Sequence, residues 1–173
     1  IYTPQHTLSL HDALPISEGH VELRKVGDVL TADRLSYRED EDLVDAVGNV
    51  RIHQNDDVIT GPRLHLKITD SIGFFEQPKY SIKRQIKDAA PGQTTTGSGA
   101  AQRIDFEGEN RYKLTDATYS TCGPVDPDWF ARAKTMEFDY DKDNGEAHDV
   151  TLMFKDMPIL YSPWLSFPLN NRR

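Results

Sequence analysis

Cysteine is almost missing from this sequence: among 173 residues there is only Cys122. A lone cysteine leaves two readings open, a small buried hydrophobe or a thiol whose partner lies outside the sequence. Basic residues are also scarce. Lys and Arg number 20 against 28 Asp and Glu, and the net charge of −8 argues against a nucleic-acid partner, which would want a basic face. No apolar run approaches the roughly 20 residues of a membrane-spanning helix. No window carries a helical apolar stripe. Catalytic signatures are missing too. There is no phosphate loop and no G-x-S-x-G, and no nucleophile is assembled with a base. His20, His53, His65 and His148 follow no metal-ligand spacing, and His53 and His65 alternate with apolar positions, which predicts that they face solvent. The acidic run Glu39–Asp42 lacks the calcium-loop pattern and reads as a solvated turn. Asp126 and Asp128, flanking Pro127, read as another turn. The chain is not expected to be an enzyme or to hold a cofactor or metal.

The first residues stand apart. Thr7–Ile16, TLSLHDALPI, resembles a translated sequencing adapter. It is no secretory signal, since it lacks a basic start and Asp12 interrupts its apolar part. Residues 1–16 contain one acid and no Lys or Arg, so the remainder carries −7. Residues 1–17 are therefore treated as an arm and 18–173 as one β domain. The natural N-terminus and any export signal are expected to lie upstream.

What is present is a repeat. Shifted by 29 residues, Gly19 meets Gly48, Val21 meets Val50, Asp28 meets Asp57, Thr31 meets Thr60, Arg34 meets Arg63 and Leu35 meets Leu64. Internal repeats imply stacked equivalent units. ADRLSY (32–37) and GPRLHL (61–66) have looser copies in AQRIDF (101–106) and AKTMEF (133–138). Each places apolar residues two apart: Leu35 and Tyr37, Leu64 and Leu66, Ile104 and Phe106, Met136 and Phe138. The same spacing recurs at Val21/Leu23, Val50/Ile52, Tyr80/Ile82, Tyr112/Leu114 and Val150/Leu152/Phe154. Period two with turn residues between predicts ten to twelve short antiparallel strands, an all-β sandwich or jelly roll. The Gly-, Thr- and Ala-rich stretch 87–101 has no apolar anchor and reads as a long mobile loop.

MPILYSPWLSFPL (157–169) is the least soluble-looking stretch. Simple alternation puts Ile159, Tyr161, Leu165, Phe167 and Leu169 on one face and Ser162, Trp164 and Ser166 on the other. Pro163 and Pro168 remove ladder donors, so the strand belongs at an edge or an exit.

Residues 108–173 resemble the outer-membrane lipopolysaccharide-assembly family, LptD. The likeness rests on Glu109-Asn110-Arg111-Tyr112, on Thr121-Cys122 followed by Pro and Asp, on Trp129, on FKDMPILYSPWLSFP and on Arg172-Arg173. ADRLSY and DAVGNVRI (45–52) resemble the same family's periplasmic domain, so the likeness covers about 18–173. It implies an open, V-shaped antiparallel β-jellyroll on the periplasmic side of a Gram-negative outer membrane, cut before a transmembrane barrel. It implies no catalysis. It implies relay of lipopolysaccharide from a periplasmic bridge jellyroll, joined by strand addition near residues 19–26, to the chain's own barrel and that barrel's lipoprotein plug. Cys122 aligns with a family cysteine whose disulfide partner lies outside this sequence, and Tyr161, Pro163, Trp164, Phe167 and Pro168 fall at the barrel junction. The apolar lining is expected from Leu35, Tyr37, Val50, Ile52, Leu64, Leu66, Phe74, Tyr80, Ile104, Phe106, Phe138, Leu152 and Phe154. The rivals are a docking scaffold that never touches lipid and a carbohydrate-binding jelly roll. The latter needs convergent aromatics or a carboxylate pair, and neither occurs at recognisable spacing.

Overall fold

Alternating apolar residues that bury one face can only be satisfied by strands that pair and then cover that face. The computed structural model describes residues 6–8, 17–25, 28–54, 56–85, 94–123 and 127–169. Thirteen strands and no helix occur among them: β1 (His6–Leu8), β2 (Ser17–Lys25), β3 (Asp28–Arg38), β4 (Leu43–Gln54), β5 (Asp57–Lys67), β6 (Ile72–Glu76), β7 (Lys79–Gln85), β8 (Thr94–Ala100), β9 (Arg103–Gly108), β10 (Arg111–Tyr119), β11 (Trp129–Asp139), β12 (Asn144–Phe154) and β13 (Met157–Pro168). All belong to one sheet, antiparallel except where β1 lies parallel to β2. The 29-residue repeat is a hairpin: β2–β3 is one copy and β4–β5 the next.

The sheet forks in its middle. The second half of β5 pairs with β6, while its first half pairs with β7. The first half of β10 pairs with β9, and Ser120, just past its far end, bridges Ser98 of β8. The long strands therefore run through two leaves. The first leaf contains β6 and β9; the second contains β7 and β8. A single apolar cluster includes Leu35, Val44, Leu64, Phe75 and Ile104 of the first leaf with Leu30, Tyr80 and Ala117 of the second. Val50 and Phe75 are 0% exposed, and Leu35 and Leu64 are 1% exposed. An uncovered sheet face leaves such residues wet, so the leaves close over one another here.

The fold line is written into each strand. Strict alternation along a continuous strand would turn the apolar face outward past the corner, because a one-residue slip exchanges the faces. The chain corrects this with one offset. Inward residues lie three apart at Ala32/Leu35, Ala133/Met136, Leu114/Ala117 and Ala147/Val150 instead of two. In β4, Gly48 and Asn49 together oppose Pro62 of β5, a β-bulge of the kind that lets strands turn corners between layers. Asn49, Gln77, Asp116 and Asp149 all have positive φ and sit in this row, whereas the other positive-φ non-glycine residues lie in turns. Asn and Asp tolerate that conformation better than other side-chain-bearing residues. Pro62 and Pro163 fall in the same row, where the ladder is already interrupted and a missing N–H is harmless.

Two expectations are corrected. Residues Thr94–Ala100 are not a loop but strand β8, paired with β7 from Lys79↔Ala100 to Gln85↔Thr94. Its smallness is the reason it fits: a Cβ on Gly97 would lie 2.4 Å from the Tyr119 ring, and one on Gly99 would lie 1.9 Å from the Thr118 carbonyl oxygen. The rest of that stretch, up to residue 93, lies outside the described residues. The acidic run does form a turn, but Asp42 is tied rather than merely solvated. It accepts a hydrogen bond from Thr69 N at 2.6 Å and another from the Tyr37 hydroxyl at 3.1 Å. These bonds hold its carboxyl below the usual range, that to Thr69 first.

Phe75 is the largest sealed side chain, so Phe75→Ala is expected to destabilise the domain by about 3–5 kcal/mol. Phe74→Ala, on the opposite face, should lose only about 1 kcal/mol. Urea unfolding of the two variants checks the contrast.

Candidate functional site

The inner face of the folded sheet gathers most of the expected lining. Leu35, Val50, Leu64, Tyr80 and Ile104 are buried in the main cluster. Tyr37, Ile52, Leu66, Phe106 and Phe138 are half-buried and packed against it. Leu152 and Phe154 follow Val150 on the same face of β12, near the end of the second leaf. Phe74 departs from this group. Leu64 pairs with Phe75, which takes the inner position, while Phe74 pairs with His65 on the outer face. There the His65 ring stacks on Phe74 at 5.3 Å and the Arg103 guanidinium lies 4.1 Å from its centroid. His65 is accordingly half-buried and 2.7 Å from Asp45, not simply solvent-facing. His53 is exposed as expected. Among the described residues no His, Cys, Asp or Glu cluster could hold a metal ion.

Closure is uneven along the sheet. At the β2–β5 end the inner residues are shut away, with Val21 and Ala46 at 0% exposure. At the β12–β13 end they are open: Phe154 is 45% and Leu160 63% exposed, although both lie on the inward side with Val150 and Leu152. Leu165 and Phe167 of the first leaf are half-buried and packed against Ala133, Ala147 and Val150, and Phe167 meets Phe138 edge-on at 6.0 Å. The interior is therefore an apolar seam, sealed from β2 to β10 and with exposed side chains at its last strands. Leu160 and Leu165 were absent from the expected lining.

The faces of β13 differ from simple alternation. The offset at Pro163 puts Leu160 and Ser162 on the same face as Leu165 and Phe167, opposite Leu152, Val150, Ala147 and Gly145 respectively. Tyr161 and Trp164 lie outside, with Thr151 and His148 as their cross-strand partners. The Tyr161 hydroxyl donates to Asp149 at 2.7 Å, and Trp164 Nε1 donates to Glu146 at 3.4 Å. Their rings remain exposed, at 59% and 53%. Pro163 sits at the fold line of an edge strand, as the prolines required, and Pro168 pairs opposite Asn144 at the strand's end.

The sheet has two outer edges. β13 forms one. At the other, β2 carries β1 alongside it, with His6 opposite Val21 and Leu8 opposite Leu23. Three residues of the segment set aside as an arm thus lie on the very edge expected to be available for strand addition.

Cys122 is half-buried with a free thiol in the segment after β10. Its N–H donates to Ser120 Oγ at 3.0 Å, and its carbonyl accepts from Ser98 Oγ at 3.4 Å. Beside it, an open depression of about 540 Å³ is lined by Thr60, Ser81, Ser98, Thr118, Phe130 and Arg132 among others. Asp126 lies outside the described residues, and the Asp128 carbonyl accepts from Lys155 N.

Tyr80 anchors the second leaf. Its hydroxyl donates to the Thr118 carbonyl at 2.5 Å, linking β7 to β10, and burial raises its phenol well above the ordinary range. A phenol kept neutral in the native state stabilises the fold below its unfolded-state pKa, about 10. That stability is lost as pH climbs above this value, by up to about 1.4 kcal/mol per unit. Tyr80→Phe is expected to flatten the alkaline limb of the stability–pH curve, as read by urea titrations at successive pH values.

Comparison with known proteins bears on the whole of this geometry. Residues 29–144 match the family described as LptA/(LptD N-terminal domain) LPS transport protein. Among curated relatives, the chain is 45% identical over 161 residues to the LPS-assembly protein LptD of Aromatoleum aromaticum, covering 91% of this chain and 20% of that protein. It is 43% identical to the protein of that name from an Azoarcus species, with the same coverage. It is 38% identical over 156 residues to that of Cupriavidus metallidurans, covering 90% of the chain and 18% of the relative. The chain thus spans about a fifth of the length of these relatives.

Proposed function

Given that the chain belongs to the LptA/LptD N-terminal family of lipopolysaccharide transport proteins, we propose that its apolar seam holds the acyl chains of lipopolysaccharide and relays them towards an outer-membrane barrel. The family is one of transport rather than catalysis. One observation carries the reading. Inward-facing Phe154 and Leu160 are exposed at the end of an apolar interior whose centre is sealed. A soluble domain rarely leaves a contiguous apolar surface uncovered without a ligand or partner for it.

The energetics favour a conduit. Burying one acyl CH₂ is worth about 0.8 kcal/mol, so a twelve-carbon chain gains on the order of 10 kcal/mol on leaving water. Escape into water is correspondingly slow. Transfer between two similar apolar seams is nearly neutral, so a chain can slide from one to the next. Direction has to come from outside this domain.

In this reading lipid arrives from a periplasmic bridge jellyroll that adds a strand at the β2 edge, near residues 19–26, and leaves past β13 towards the chain's own barrel and its lipoprotein plug. Edge strands accept such additions, and here the incoming strand would take the place that β1 holds along Val21–Leu23. The domain then works on the periplasmic side of a Gram-negative outer membrane. Cys122 would pair with a cysteine elsewhere in the longer protein, in an oxidising compartment. Tyr161, Pro163, Trp164, Phe167 and Pro168 would meet the barrel junction.

The sealed middle favours a second reading, a scaffold that docks bridge and barrel without touching lipid. Photo-crosslinking separates the two. A benzophenone side chain at Phe154 or Leu160 is expected to give lipopolysaccharide adducts during active transport, with one at Phe106 giving them in lower yield. Adducts at none of the three would leave the scaffold reading.

A further inference from the structure

The outer face of the second leaf is hollow where β8 crosses it. That strand ends in small side chains: Gly97 and Gly99 lie under the inward rings of Tyr119 and Tyr80, while Ser98 and Ala100 face outwards. Outward residues form two rows here. In one, Lys79 of β7 lies opposite Ala100 of β8, and Thr118 of β10 lies opposite Arg132 of β11. In the other, Ser81 lies opposite Ser98, which bridges Ser120. Thr118 ties the two halves together, its Oγ1 accepting from Ala100 N at 3.1 Å and donating to Ala100 O at 3.2 Å. The result is the open depression of about 540 Å³ beside Cys122, with a floor of short side chains between Lys79 and Arg132. Its volume falls in the range of small-molecule sites, about 300–1,000 Å³. It opens away from the seam, because Tyr80, Ala117 and Ala133 hold the inward positions of the same strands.

The charge here runs against the rest of the chain. The net charge is −8, yet no Asp or Glu is among the described residues lining the depression. Elsewhere lysines are neutralised: Lys67, Lys113, Lys134 and Lys142 each pair with a carboxylate. Among the described residues Lys79 and Arg132 make no ion pair, and the Arg132 guanidinium has the Phe130 ring 5.8 Å away. Unpaired cations in a concave site draw negative charge from outside the protein. The two stand about three strand spacings apart, roughly 14 Å between backbones, which leaves room for a sugar between them. The floor supplies fixed acceptors. Ser120 Oγ donates to Trp129 O at 2.7 Å and accepts from Cys122 N at 3.0 Å, and Thr118 Oγ1 is held in the same way. Each of these oxygens keeps a lone pair to spare. We propose that this depression binds a phosphorylated sugar. Lys79 and Arg132 draw the phosphate. The hydroxyls of Ser81, Thr118 and Ser120 meet those of the ring, and Phe130 lies against its C–H face. Recognition by charge separates this from a neutral-sugar site, which leans on convergent aromatics. The proposal is independent of the lipid-relay reading. A free sugar phosphate and the phosphorylated sugar headgroup of a lipopolysaccharide both carry this chemistry. The depression and the seam lie on opposite faces, so a headgroup bound here belongs to a different molecule from one whose tails fill the seam.

The test is an amide NMR titration of the chain with glucose 6-phosphate at low salt. Shifts are expected at Ser81, Ser98, Ala100 and Thr118, and added salt should weaken the binding. Lys79→Met with Arg132→Met, both at exposed positions, should lower the affinity about tenfold or more. Glucose should bind about tenfold more weakly than its phosphate. Inorganic phosphate should also bind more weakly, since it lacks the ring. If phosphate matches glucose 6-phosphate, the site holds an adventitious ion only and the proposal fails. It fails too if no shift appears, if the shifts map elsewhere, or if the folded double variant binds as well as the unaltered chain. Should the double variant not fold, Lys79→Met alone carries the same comparison. Deacylated lipopolysaccharide, added as a competitor, sorts the source. Displacement of glucose 6-phosphate assigns the ligand to a lipid headgroup, and its retention assigns the ligand to a free sugar phosphate; the site stands in both cases. Crosslinking at Phe154 and Leu160 does not depend on these outcomes, so the relay and this site fail separately.

Discussion

Everything in this fold depends on keeping one face apolar on both sides of a corner. A strand alternates its side chains, so a strand that bends through a corner and keeps strict alternation delivers its polar residues to the interior of one leaf. The chain meets this by inserting one offset in each long strand at a common level. Gly48 and Asn49 do it as a bulge against Pro62, and Asp116 and Asp149 do it through a left-handed backbone. The small inward residues at the corner, Ala32, Ala101 and Ala133, leave room for the leaves to approach. The large ones three positions later, Leu35, Ile104 and Met136, fill the first leaf.

This accounts for the recurring motif. ADRLSY, GPRLHL, AQRIDF and AKTMEF each start at the corner with a small residue and continue with apolar residues at the fourth and sixth positions. SPWLSF of β13 follows the same plan, with Ser162 at the corner and Leu165 and Phe167 beyond it. The odd-numbered long strands all run from the second leaf to the first and carry this motif. The even-numbered β4, β10 and β12 return and carry the positive-φ residue instead.

The strands and the pairs of apolar residues two apart were legible in the sequence because they are local. So was the hairpin repeat, since its two copies share residue types at nearly every buried position. The three-residue gap inside the motif was not legible, because alternation gives no reason to expect a missed beat until the corner is seen. The faces of β13 were misread for that reason alone, with Leu165 and Phe167 grouped with Tyr161 when Leu160 was their companion. In the adjacent pair Phe74-Phe75 either residue could face inward. Only the pairing with Leu64 decides it, and pairing is a long-range fact. β8 was hidden because its fit depends on the absence of side chains at Gly97 and Gly99, which composition reads as flexibility. Ten of the expected inner residues did come together in the main cluster, whereas Phe74, Leu152 and Phe154 belong to neither cluster; that uneven exposure follows from how the leaves close, which no strand-by-strand pattern contains.

The hairpin repeat has a consequence for how such domains change size. β2–β3 and β4–β5 are near-equivalent slabs, each bringing its own corner and its own share of inward residues to both leaves. Inserting or deleting one 29-residue slab would lengthen or shorten the seam by two strand spacings, roughly 10 Å, while leaving its cross-section alone. Reach is therefore adjustable by duplication of a hairpin without any change of bore.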